Sequence, residues 1–391
     1  MFKKMIKEFI QRQSSAGIIL IVVTVCALVL QNSFLADIYT KFLHTPVQIS
    51  VGTFGIAKPL LLWVNDGLMA IFFFLIGLEV KREVLEGELS SRSQIALPSI
   101  AALGGMLVPA LVFIVFNYKD TFAMNGWAIP TATDIAFALG IISLLGTRVP
   151  ASLKIFLMAL AIIDDLGAIV IIALFYTSDL SILSISVAGV ALLVLLLLNR
   201  MNVAKKAAYI LVGIVLWVSV LKSGVHATIA GVLIAFSIPL YSIGSTGERF
   251  SMVKELEHDL HYWVAFFILP LFAFVNAGVD LRNLSASALF SDVSLGIALG
   301  LFLGKQLGVF GFSFLAIKMG VAKLPSGSNF KQLYGVAILT GIGFTMSLFV
   351  NTLAYNDTDF FHYADKLAVL IGSFLSGVIG YFVLRQVSKA V

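Results

Sequence analysis

Apolar residues run along this chain in blocks of about 20, the length that crosses a bilayer as a helix, separated by short polar stretches. Twelve such blocks are visible, near residues 12–31, 59–86, 96–117, 122–144, 151–176, 182–200, 205–220, 224–238, 252–276, 293–316, 332–354 and 362–385. Blocks seven and eight are short, and their boundaries are the least defined. One connection breaks the pattern. The segment from Pro46 to Pro59, PVQISVGTFGIAKP, alternates apolar and polar residues and carries Gly52 and Gly55, which predicts a short β-hairpin. An isolated hairpin is marginal, so this one is expected to pack on something, a second copy of the chain being the natural partner.

Two blocks are interrupted at matching depth. PTATDIAFALG (Pro130–Gly140) in span four places a proline, hydroxyl and small residues and Asp134 at mid-membrane. LTGIGFTMSLF (Leu339–Phe349) in span eleven places Gly341, Gly343 and hydroxyl residues at the corresponding position. Both predict helices that unwind halfway across, which is tolerated only where protein or a water-filled cavity covers the exposed backbone. Paired interruptions of this kind mark a transporter's binding region.

Composition agrees with the blocks. The 391 residues are 60% hydrophobic and 12% charged, against about 25% charged in soluble domains, and mean hydropathy is +1.02. The basic pI near 9.1 does not point to nucleic acid. With twelve spans and both termini inside, 19 of the 26 Lys and Arg residues fall on the cytoplasmic side, so the charge is distributed as topology requires. The basic N-terminus and the apolar stretch from Ala16 to Leu30 resemble a signal peptide, but no A-x-A site follows, and an uncleaved first span is expected. Cys26 is the single cysteine and forms no intrachain disulfide.

Against this background the charged residues inside spans stand out. Asp164 and Asp165 sit within ALAIIDDLGAIV, in the middle of span five. A carboxylate at that depth costs at least ~2.5–3.5 kcal/mol, and Leu would pack as well, so the pair is expected to bind a cation, a proton, or each in turn. Lys305 lies deep in span ten, beside a stripe of Gly296, Gly300, Gly304 and Gly308 that lets a neighbouring backbone come close. It is too far from either end to reach water through lipid, so a partner carboxylate is expected, Asp164 or Asp165. Half-helix N-termini meeting at the interruptions present positive dipole ends that Asp134 would offset, with Lys305 offsetting the carbonyl ends.

A second cluster closes spans two and nine. LEVKREVLEGE carries Glu79, Arg82, Glu83 and Glu86 at helical spacing, and VKELEHDLH carries Lys254, Glu257, His258 and His261 stacked on one side. Histidines among carboxylates invite titration near neutral pH. His258 and His261 lack zinc-site order, and His226 reads as a structural histidine.

Together, ALAIIDDLGAIV, PTATDIAFALG, LEVKREVLEGE, LEHDLH, FILPLFAFVNAG, GLFLGKQLG and LTGIGFTMSLF resemble the NhaA-type sodium/proton antiporters of bacterial inner membranes, over essentially the whole chain. The resemblance implies an all-α polytopic membrane protein of about twelve spans, with inverted-topology repeats and crossed interrupted helices in spans four and eleven. It also implies a homodimer clasped by an external hairpin. It assigns cation and proton binding, with Na⁺ as the metal, to Asp164 and Asp165, with Thr133 nearby, and charge compensation to Asp134 and Lys305. It assigns pH sensing to Glu79, Arg82, Glu83, Lys254, Glu257, His258 and His261. No cofactor is implied beyond the transported Na⁺, Li⁺ and H⁺. The chain departs at Thr131, where the family pattern has alanine, adding a hydroxyl near the site that would alter Na⁺/Li⁺ preference.

The expected activity is exchange of cytoplasmic Na⁺ or Li⁺ for external H⁺, electrogenic and pH-regulated. A sodium-coupled solute symporter would need a pocket for an organic substrate. An intramembrane aspartyl protease would need Gly-x-Gly-Asp, and here Gly341-Ile-Gly343 is followed by Phe344.

Overall fold

Helices account for nearly all regular structure, as an apolar medium demands, because only a helix satisfies its own backbone there. The computed structural model describes residues 2–387 except 53, 178–179, 245–246, 283, 356–360 and 362. Among the described residues, eight helical spans are long and apolar enough to cross a membrane, and up to ten if each of two bent pairs counts as one. Two further apolar helices, Lys206–Leu221 and Thr228–Ser237, are shorter and coincide with predicted spans seven and eight. A count of twelve therefore requires these two to cross as short helices.

Two small antiparallel ribbons complete the elements. The first joins β1 (Pro46–Val51) to β2 (Phe54–Pro59) in the register Val47↔Lys58 and Ile49↔Ile56, over the predicted range. Gly52 takes the left-handed conformation of its turn, with φ +62°. The hairpin is anchored within its own chain. Trp63 Nε1 donates to the Val47 carbonyl at 3.0 Å, Lys222 Nζ to the Gly55 carbonyl at 3.0 Å, and Lys58 pairs with Asp66 at 2.6 Å.

The chain divides into two compact units. One comprises Asp37–Ser90 and Ile169–Val275, with the hairpin, span two, and a buried cluster around Leu78, Leu195, Tyr209, Ala235 and Met252. The other comprises Met1–Ala36, Ser91–Ala168 and Asn276–Val391, and holds both interrupted spans.

In this second unit the glycine stripe of span ten faces span three (Gln94–Asn117). A Cβ on Gly308 would lie 2.1 Å from the Gly104 carbonyl oxygen, and one on Gly104 would lie 2.4 Å from that of Gly308, so the two backbones meet where no side chain fits. Just before Lys305 the helix widens into a π-turn, Gly300–Gly304. Such turns re-aim the side chains that follow and are frequent at functional sites.

Candidate cation site

Span four enters as a 3₁₀ helix, Ala123–Thr131, then runs extended through Ala132–Asp134 and resumes as the helix Ile135–Leu144. Span eleven stops as Phe330–Leu339, bends by 44°, and resumes as Phe344–Ala354. The two breaks touch. The Asp134 amide donates to the Ile342 carbonyl at 2.6 Å, the Thr133 hydroxyl lies 3.0 Å from the Thr340 carbonyl, and Ser347 Oγ donates to the Ile129 carbonyl at 2.7 Å. Backbone groups left over by one broken helix are thus met by the other, in a region without exposed surface.

Asp134 serves both half-helix N-termini. Its Oδ1 accepts from the Phe137 amide at 2.9 Å, as N-cap of Ile135–Leu144. Its Oδ2 accepts from the Thr345 amide at 3.1 Å and from the Thr345 hydroxyl, in the first turn of Phe344–Ala354. One carboxylate therefore sits against two positive dipole ends, where negative charge is favoured.

Asp164 lies beside this crossing. Its Oδ2 accepts from Lys305 Nζ at 2.6 Å and lies 2.7 Å from Thr133 Oγ1, while its Oδ1 is buried with no hydrogen-bond partner among the described residues. The side chains of Lys305 and Asp164 are 0% and 1% exposed. Asp165 is likewise buried, close enough for its charge to act on Lys305. Of the two carboxylates left open by the sequence, Asp164 is the one that hydrogen-bonds the lysine. The Thr340 carbonyl, at the end of Phe330–Leu339, lies 3.0 Å from the same Thr133 hydroxyl. The Thr131 hydroxyl is engaged by its own backbone, at 2.8 Å from the Ala128 carbonyl.

Carboxylate, hydroxyl and main-chain carbonyl oxygens are the ligands a hard cation takes, and a lysine beside them competes for the same carboxylate. The segments that build this site lie within a match to a known family. The model of that family, described as Na⁺/H⁺ antiporter 1, matches residues 7–384. The chain is 72% identical over 381 residues to a Na⁺/H⁺ antiporter NhaA of Sulfurovum sp. (strain NBC37-1), covering 97% of each. It is 64% identical over 384 residues to one of Campylobacter concisus, covering 98% of this chain and 93% of the relative. It is 62% identical over 386 residues to one of Nitratiruptor sp., covering 99% of each. The chain belongs to the Na⁺/H⁺ antiporter 1 family.

The second charged cluster of this family member lies in the other unit. Arg82 bridges Glu83 and Glu257 at 2.7 Å each, Lys254 pairs with Glu86 at 2.7 Å, and His261 Nδ1 lies 3.8 Å from Glu79 Oε1. Five of the seven expected residues are thus in contact across spans two and nine, and Glu83 is joined to them through Arg82 of its own span. His258 is not. Its side chain is 85% exposed and its ionic neighbour is Asp259, 3.8 Å away on the same helix. With Glu257 and His261, four residues apart, turned toward span two, His258 is rotated about 100° from Glu257, so the expected one-sided stack is corrected at this position.

Three participants went unassigned in the sequence. Thr345 shares Asp134, the Thr340 carbonyl meets Thr133, and the Tyr241 hydroxyl donates to Glu86. Thr340 and Thr345 stand in the span-eleven interruption, the one sequence signal that could have found them.

Proposed function

We propose that this protein exchanges cytoplasmic Na⁺ or Li⁺ for external H⁺ by alternating access, as a multi-pass protein of the bacterial inner membrane with both termini in the cytoplasm. It is a secondary active transporter and not an enzyme. The observation that carries the reading is the buried group of Asp164, Asp165, Thr133 and Lys305 packed against two touching helix breaks. A buried carboxylate that is charged and empty is costly, so it crosses either protonated or cation-bound. Occupants exclude each other, and exclusion alone yields strict exchange.

In this reading Na⁺ is held by Asp164 and Asp165 with Thr133, and no further cofactor takes part. Na⁺ arriving at Asp164 displaces the Lys305 ammonium, and Lys305 and the carboxylates return the protons. More than one proton per Na⁺ makes the cycle electrogenic, the membrane potential then contributing ~2.3 kcal/mol per charge per 100 mV. Asp134, together with Lys305, compensates charge at the broken helices. Glu79, Arg82, Glu83, Lys254, Glu257, His258 and His261 set the pH response, and the hairpin clasps a homodimer. The test is ΔpH across everted vesicles. Na⁺ and Li⁺ should dissipate it without any organic co-substrate. A requirement for a solute would replace this reading with symport.

A further inference from the structure

Span ten loses a backbone pairing at its π-turn, and the loss begins at Leu301. In an α-helix the Lys305 amide would donate to the Leu301 carbonyl, four residues back. Here it donates to the Gly300 carbonyl, five residues back. The helix Lys305–Lys318 then starts from the Gly304 carbonyl. Between these two bonds stand the carbonyls of Leu301, Phe302 and Leu303, with only the amides of Gln306 and Leu307 to serve them. A buried carbonyl in surplus calls for a donor from another element.

A donor stands opposite. Ser376, in the span-twelve helix Ala364–Val387, is fully buried, and its Oγ has no hydrogen-bond partner among the described residues. A Cβ on Gly341 would collide with both Ser376 Oγ and the Leu301 carbonyl oxygen. Hydroxyl and carbonyl therefore face each other across a glycine of the span-eleven break. Gly343 and Gly372 close around the Leu301 side chain in the same way. An unpartnered buried hydroxyl carries a cost that alanine would not. Its presence asks for a bond made in another state of the protein.

Lys305 holds the π-turn in place while its ammonium is bonded to Asp164. Once the ammonium is displaced, the turn is free to close to α pairing, with the Lys305 amide moving to the Leu301 carbonyl. Closure shifts the register by one residue and turns Lys305 by about 100° from its present direction. We propose that Ser376 is a positioning residue for exchange. Its hydroxyl donates to the Leu301 carbonyl while Na⁺ occupies the site, keeps the π-turn open, and so keeps Lys305 aimed at Asp164 for its return. The inference rests on the reading that Na⁺ displaces the Lys305 ammonium.

Ser376→Ala separates this role from packing. Without Na⁺ the hydroxyl has no partner to lose, so the variant should melt in detergent at or above the temperature of the parent. With Na⁺ it lacks a bond that the parent makes. The Na⁺ concentration for half-maximal ΔpH collapse in everted vesicles should then rise ~2–10-fold, the change falling on half-saturation and not on the maximal rate. Ser313→Ala is the control. Ser313 Oγ is also buried without a partner among the described residues, but it lies beyond the π-turn in the regular helix Lys305–Lys318, and its half-saturation should match the parent's. A lower melting temperature for Ser376→Ala without Na⁺ makes the residue structural and overturns the proposal. An unmoved half-saturation overturns it too, as does an equal rise in Ser313→Ala. Those results, with the parent exchanging normally, remove the positioning role alone; if the parent does not exchange, the underlying reading fails.

Discussion

Lys305 Nζ lies 2.6 Å from Asp164 Oδ2, and neither side chain reaches the surface. Removing one partner of a buried pair leaves an uncompensated charge, at a cost of ~3–5 kcal/mol. Lys305→Ala should therefore lower thermal stability in detergent markedly. The double change Lys305→Ala with Asp164→Asn should recover part of that loss, since no charge is then stranded. Additive losses around the cycle would show that the two side chains are not coupled.

Asp134 links two helix starts, and its replacement should be felt at both. A cap is worth ~0.5–2 kcal/mol per helix. Asp134→Ala should lower the melting temperature more than Asp134→Asn, which keeps one acceptor oxygen. Thr345→Val, which spares the Phe137 side, should cost less than either. Thermal melts of the three variants check the order, and an Asp134→Ala protein as stable as the parent would remove the capping role.

The approach of Gly104 and Gly308 leaves no room for a methyl group. Overpacking at such a contact costs ~1–3 kcal/mol. Gly308→Ala should therefore destabilise the protein, while Gly311→Ala, where a Cβ meets nothing within 4 Å, should not. Equal melting temperatures for the two variants would contradict the packing.

Arg82 is held by Glu257 and Glu83 at once, next to Glu79 and His261. Glu257→Gln removes one negative charge from this network, which makes proton binding less favourable throughout it. The network then sheds protons at lower pH. If deprotonation activates, the activity profile shifts to the acid side while maximal exchange survives. The pH–activity curve of Glu257→Gln beside the parent decides this. An unmoved curve, or loss of activity at every pH, would place gating elsewhere.

What the sequence made legible was whatever violates the apolar rule. Asp164, Asp165 and Lys305 have no reason to stand in apolar runs except one another, and the four-residue glycine stripe announces a close helix contact. The role of Thr345 was not legible. Buried hydroxyls in spans commonly bond their own helix, as Thr131, Thr340 and Thr352 do with Ala128, Ala337 and Phe349. Nothing in the residue type marks the one that instead reaches another element's carboxylate. The π-turn before Lys305 is a change in backbone pairing with no side-chain signature. His258 was misplaced because three-residue spacing brings residues near one face without fixing which of them faces the partner.

The central claim is that the carboxylates of span five select between Na⁺ and H⁺, and Asp165→Asn tests it at constant size. In everted vesicles energised to a ΔpH, Na⁺ should collapse the gradient with the parent protein and leave it intact with Asp165→Asn at equal membrane content. A collapse in Asp165→Asn vesicles matching the parent's would contradict the account.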